Sequence, residues 1–176
     1  DGRWQMDFGH LEQLASEGAS SLLLCNPHNP MGRILSRHEL QKVADICLKH
    51  DIVLCSDEIH ADILLDEDKP HIPIATLSPE VEQNTITLIS PSKAFNLPGI
   101  GSFALAIIPN PEIRKAFEKQ IYGVAVHPSE LAYEAGLASY RDSQDWLSAM
   151  LDYLRGNRNF LQTRIAAIPG LSMTHV

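Results

Sequence analysis

The stretch Thr85-Ile86-Thr87-Leu88-Ile89-Ser90-Pro91-Ser92-Lys93-Ala94-Phe95-Asn96 decides the fold. Its first five residues are apolar or β-branched, the pattern of a strand buried in a sheet. Two serines then precede a single lysine, and Leu97-Pro98-Gly99 turns the chain. A lysine just past the C-terminal end of a strand sits where open α/β sheets bind ligands. Most lysines near strand ends are solvated surface charges, so this stretch gains meaning only from what precedes it.

The same arrangement occurs twice upstream. Ser21-Leu22-Leu23-Leu24-Cys25 is a short continuous apolar run, expected to be a strand buried on both faces. It runs into Asn26-Pro27-His28-Asn29-Pro30-Met31-Gly32, where two prolines and a glycine exclude helix and strand. Ile52-Val53-Leu54-Cys55 is the second run and ends in Ser56-Asp57-Glu58-Ile59-His60. Between the two, Ser36 and Glu39 form a capping box. The helix it opens carries Leu40, Val43, Ala44, Cys47 and Leu48 on one face and ends near His50. An earlier helix is expected over residues 7–18, with Asp7 as N-cap and Gly18 as stop.

Beyond Lys93, Ser102 to Ile108 reads as a fourth strand. The turn before it is too short for a parallel crossover, so it runs antiparallel or follows a wide loop. Asn110-Pro111 starts a helix with proline at its first position. Residues 129–140 and 143–166 keep helical periodicity, Pro169-Gly170 stops the second, and Ser172 to Val176 could begin a strand. Strands alternating with helices predict an α/β fold: a three-layer, mostly parallel sheet with helices on both faces.

Composition narrows the function. The 176 residues suffice for one domain with a core, and the net charge of −8 comes without any basic run, which argues against a nucleic-acid partner. No apolar stretch is long enough to span a bilayer, and Asp1-Gly2-Arg3-Trp4 does not open a signal peptide. Cys25, Cys47 and Cys55 are odd in number and lie in apolar segments, as reduced core residues of a cytosolic protein do.

Three loops follow three strands, with Asn29, Asp57 and Lys93 separated by 28 and 36 positions. If the strands are parallel, the loops emerge on one sheet edge and make one site. A pyridine-based electron sink such as pyridoxal 5'-phosphate (PLP) would use each residue. Lys93 would hold the aldehyde as a Schiff base and, once free, move an α-proton. Asp57, partly withdrawn from water, would keep the ring nitrogen protonated. Asn29 and His60 could donate to the ring oxygen, and Ser90 and Ser92 to the phosphate. Taken singly, each has a plainer use: a helix cap for Asp57, an Asx-turn for Asn29, packing for His60 and a turn cap for Ser90. Their order in combination is what points to a site.

That order resembles the class I/II aminotransferase family, the fold type I PLP enzymes. The resemblance rests on Asn26 to Gly32, Ser56 to His60 and Ser90 to Asn96. Within the family, Asp57-Glu58-Ile59-His60 with Asp62 and the later His71-Ile72-Pro73 resembles the cystathionine β-lyase (C–S lyase) branch. It implies that Lys93 binds the PLP aldehyde, Asp57 pairs with the pyridine nitrogen, Asn29 contacts the ring oxygen and Ser90 contacts the phosphate. Many relatives carry a tyrosine at the position of His60. Many also carry a phosphate-binding arginine eight residues after the lysine, where this chain has Gly101. Family members are much longer, so the resemblance implies a central fragment: residues 1–142 from the large cofactor domain, and 143–176 the long connecting helix and the start of the small domain. It further implies an amino acid substrate, C–S β-elimination or transamination, and a homodimeric, cytoplasmic parent protein.

Two other readings stand beside it. The chain could be a catalytically inactive fragment or regulatory binding module. A metal hydrolase could use Asp57, Glu58, His60 and His71, which are suitable ligand types without a recognised spacing. Gly99-Ile100-Gly101 with Ala104 fits the letters of a dinucleotide fingerprint but precedes a strand instead of opening a helix, so that reading fails on context.

Overall fold

The computed structural model describes residues 4–100, 104–125 and 127–176. Four strands form one sheet in sequential order: β1 (Ser21–Cys25), β2 (Val53–Asp57), β3 (Thr85–Ile89) and β4 (Leu105–Ile107). β1, β2 and β3 are parallel, and β4 runs antiparallel to β3. The fourth strand is thus shorter than its apolar run, whose Ser102 and Phe103 lie outside the described residues. The helices are α1 (Phe8–Ser16), α2 (Arg37–Lys49), α3 (Pro79–Gln83), α4 (Pro91–Ala94), α5 (Pro111–Ile121), α6 (Glu130–Asp142) and α7 (Gln144–Ala166). The chain is α/β with a mostly parallel sheet, as its alternating pattern requires. Ser172 to Val176 forms no strand; a lone apolar end without a paired neighbour lacks ladder partners.

Helix starts follow local chemistry. Asp7 accepts from the backbone N–H of His10, and Ser36 and Glu39 form the reciprocal capping box. Asn110 accepts from the N–H groups of Glu112 and Ile113 ahead of Pro111. The short helices α3 and α4 escaped sequence reading. Each is at most five residues long and opens with proline behind a capping serine, too short for a periodic signal.

α1, α2, α3 and a 3-10 turn at Ile74–Thr76 build one core with β1 and β2. Leu24 and Leu54 from the sheet meet Leu40, Val43, Cys47, Ile74 and Val81. Burial pushes the Cys47 thiol up to about 11, which leaves it an inert packing group. Leu40 is fully buried. Leu40→Ala is expected to lower stability by about 2–5 kcal/mol through lost transfer energy and the cavity left behind, read as a lower urea midpoint at unchanged slope.

The expectation that β1 is buried on both faces does not hold. Leu24 is 3% exposed, but Leu23 is 71% exposed. Alternation turns successive side chains to opposite faces, and α1, α2 and α3 cover only the face that carries Leu24 and Leu54.

A second core seats α4 against α7. Ala94, Phe95 and Leu147 are buried together, with Ile63, Leu97, Met150 and Leu151 packed around them. Phe95 stacks on Trp146 at 6.4 Å between ring centroids and meets the edge of Tyr140 at 5.6 Å. Because Ile63 belongs to this core, the segment after His60 and the helix carrying Lys93 are fixed to a common support.

Asp66 pins that segment from the far side. Its carboxylate accepts from Lys69, Arg158 and His175, while Arg155 donates to the carbonyls of Leu64 and Leu65. The hydrogen bond from Lys69 leads those from His175 and Arg158 in holding the Asp66 carboxyl far below the usual carboxylate range. A carboxyl depressed in the folded state stabilises above its unfolded pKa, near 3.9, and loses that contribution as pH falls. Asp66→Asn is therefore expected to lower the thermal midpoint at pH 7 by an amount equivalent to about 1 kcal/mol and to flatten the acid limb of the stability profile below about pH 4.

Candidate active site

The register of the three parallel strands sets the site. Cys25, Asp57 and Leu88 share one rung of the sheet. Asp57 is the last residue of β2 and not, as read from sequence, a loop residue after it. Its place in the ladder explains this: the carbonyl of Asp57 accepts from Asn26 N–H at 3.0 Å, and Glu58 N–H donates to the carbonyl of Leu88 at 2.9 Å. Alternation then places Ser56 and Glu58 on the helix-covered face, 1% and 3% exposed, with Asp57 half-buried on the opposite face. The Asp57 carboxylate also accepts from Ile59 N–H at 3.2 Å, which turns the chain toward His60.

Lys93 stands on α4 in place of the expected loop. Ser90, buried, caps that helix by accepting from Ser92 N–H at 3.1 Å, and its hydroxyl lies 2.9 Å from that of Ser92. Lys93 itself is exposed. Asn96, in the left-handed region at φ 53, closes the turn, and Leu97 N–H donates back to the carbonyl of Ser92.

His60 ties the two together. It occupies a helical turn in which Ala61 N–H donates to Glu58 and Ile63 N–H to His60. Burial lowers its pKa first of all, with the charge of Lys93 acting the same way and that of Asp57 opposing. His60 is thus in electrostatic reach of both a carboxylate and an amine, and stays neutral at neutral pH with one ring N–H to donate. Asn29 is exposed on the loop after β1 and joins His60 in lining a cavity of about 830 Å³, walled by Met31, Ile63 and Ile72. Asp57 and Lys93 lie outside that cavity. Among the described residues no three His, Cys, Asp or Glu side chains come together to hold a metal ion.

Sequence reading gave no supporting role to two residues that hold these loops. Asn26 is 1% exposed, and its side-chain carbonyl accepts from Leu35 N–H at 2.9 Å, closing the proline-rich loop at its base. Glu58 is buried against His71. The signal available was a polar residue directly after an apolar strand, which sequence alone cannot tell from a surface residue.

Comparison with known proteins places this arrangement. The sequence model for aminotransferase class I and II matches residues 1–176. The chain belongs to that family. It is 36% identical over 174 residues to cystathionine beta-lyase PatB of Bacillus subtilis (strain 168), covering 96% of this chain and 44% of PatB. Among solved structures, that of OvoB superposes with a TM-score of 0.94 at 45% identity, covering 99% of this chain and 46% of OvoB. Cystalysin from Treponema denticola, which contains a pyridoxal 5'-phosphate cofactor, superposes with a TM-score of 0.89 at 34% identity, covering 95% of this chain and 42% of cystalysin. The chain therefore spans less than half the length of these relatives.

The residues at the strand ends suit such a cofactor. An amine, a carboxylate half out of water and two hydroxyls at a helix start supply the groups that an aldehyde, a ring nitrogen and a phosphate need.

Proposed function

We propose that this chain carries the PLP-binding core of an enzyme acting on amino acids, of the C–S β-lyase type. The observation that carries the reading is the placement of Asp57 at the end of β2 and of Lys93 just past the end of β3, adjacent parallel strands, with His60 three residues beyond Asp57. The likeness to a protein named cystathionine beta-lyase favours elimination over transamination. Bound PLP would draw electrons from the substrate's α-carbon. Lys93 would hold the aldehyde and, when its amine is free, take the α-proton. Asp57 would keep the ring nitrogen protonated, His60 and Asn29 would donate to the ring oxygen, and Ser90 and Ser92 would face the phosphate.

Family membership supports the rest of the reading. Residues 1–142 would form part of the large cofactor-binding domain, with 143–176 leading into the small domain. A homodimer would cover exposed apolar residues such as Tyr122 and Val124, 89% and 80% exposed. Three free cysteines accord with a cytoplasmic setting.

The test is an absorption spectrum of the chain with added PLP, followed by borohydride reduction and peptide mapping. A yellow band whose reduced adduct maps to Lys93 is expected. Adducts spread over the exposed lysines without preference for Lys93 would overturn the assignment.

A further inference from the structure

Directly beneath Asp57, on the covered face of the sheet, Glu58 and His71 form a buried pair. The Glu58 carboxylate and the His71 Nε2 are 2.7 Å apart, with the side chains 3% and 7% exposed. Both carboxylate oxygens of Glu58 are engaged by the chain around the site. One oxygen accepts from Ser56 Oγ at 3.0 Å, within β2, and from Ile74 N–H at 3.3 Å, at the start of the 3-10 turn. The other faces His71, at the end of the acid- and proline-rich segment that follows His60. The pair therefore joins the end of β2 to the far end of the excursion 59–74, the excursion that carries His60. The Nδ1 of His71 is buried with no hydrogen-bond partner among the described residues.

A buried polar pair is a poor way to add stability, since desolvation offsets most of what the contact gains. Apolar residues would fill this space as well, and the neighbouring core already uses Ile74, Val81 and Leu54. A polar pair does what they cannot: it fixes direction. Loss of one partner leaves a buried carboxylate or imidazole uncompensated, so a single arrangement of the excursion is strongly preferred.

We propose that Glu58 and His71 are positioning residues for the site: they brace the excursion 59–74 against the end of β2, and so set where His60 and the Asp57 carboxylate stand. Their effect on PLP rests on the reading above, but the brace itself is a property of this chain without any ligand.

The experiment uses the 176-residue chain and follows the His60 ring by two-dimensional NMR, its signal assigned by loss in H60Q. Glu58→Leu and His71→Phe fill the volume and break the pair. Glu58→Gln and His71→Gln keep a hydrogen-bonding group at each place. In the breaking variants the His60 ring resonance is expected to move, with little further change in the double variant. In Glu58→Gln it is expected to return most of the way toward wild type. PLP affinity should follow the same order, with a loss of tenfold or more in Glu58→Leu. A plain loss of stability would not produce this pattern, because the NMR signal is read from folded protein only. An unmoved His60 resonance in folded Glu58→Leu and His71→Phe overturns the brace. Should those two fail to fold, an unmoved resonance in both glutamine variants with PLP affinity also unchanged overturns it. If the wild type takes no PLP on Lys93, the functional reading fails, and the His60 resonance still decides the brace.

Discussion

Lys93→Ala is expected to abolish the reducible PLP adduct completely. Lys93 carries the primary amine at these strand ends, and neither the thiol of Cys25 nor the hydroxyls of Ser90 and Ser92 can replace it in forming an imine that borohydride traps. Lys93→Arg should fail equally, although it keeps the charge and length, because a guanidinium stays protonated at any working pH and offers no free amine. The loss should be chemical and not conformational. Lys93 is exposed, its neighbours Ala94 and Phe95 carry the packing of α4 against α7, and surface substitutions of this kind shift stability within about 0.5 kcal/mol. The measurement is peptide mapping after borohydride, beside the thermal midpoint of each variant. The chain has five other lysines, which provide an internal comparison: excess PLP reacts slowly with any exposed amine, so the deciding quantity is preference for residue 93 at equimolar cofactor. An undiminished band in Lys93→Ala would falsify the assignment.

Much of the fold was legible because burial and pattern agreed. The three parallel strands were visible as short apolar runs, and α2 as a capping box followed by an apolar face. The proline after Asn110 marked the start of α5. What escaped has a common cause. β2 extends to Asp57 and not Cys55 because its end is held by hydrogen bonds to neighbouring strands, and such long-range partners leave no trace in local hydropathy. The openness of β1's second face, with Leu23 exposed, is equally invisible in an apolar run. At the site, the chemistry-bearing residues could be picked by type and order, since an amine, a carboxylate and an amide after three strands are unusual together. Their supports could not. Asn26, Glu58 and His71 act through buried hydrogen bonds between segments 9 to 16 positions apart, and a polar letter in a sequence carries no statement of its burial.

Asp57→Asn is the sharper probe of mechanism, because it changes charge with almost no change in shape. Asparagine retains the side-chain oxygen that accepts from Ile59 N–H, so the turn toward His60 should persist and the variant should fold. What it loses is the negative charge at the end of β2. Without it, nothing on that rung holds a proton on a pyridine nitrogen, since the flanking residues are Cys25 and Leu88. PLP affinity is expected to fall by tenfold or more, about 1.4 kcal/mol, and removal of a substrate's α-proton should slow by a larger factor, because the ring's capacity to accept electrons depends on that proton. His60 provides a second reading: the charge of Asp57 raises its pKa against burial and Lys93, so in Asp57→Asn the imidazole should titrate lower still. The control is Asp62→Asn, on the same excursion but exposed. It tests whether any carboxylate of this segment suffices. A loss confined to Asp57→Asn fits a carboxylate working through its place on the strand end. Equal losses in the two variants would mean that the net charge of the segment governs cofactor binding, and the role given to Asp57 would fall.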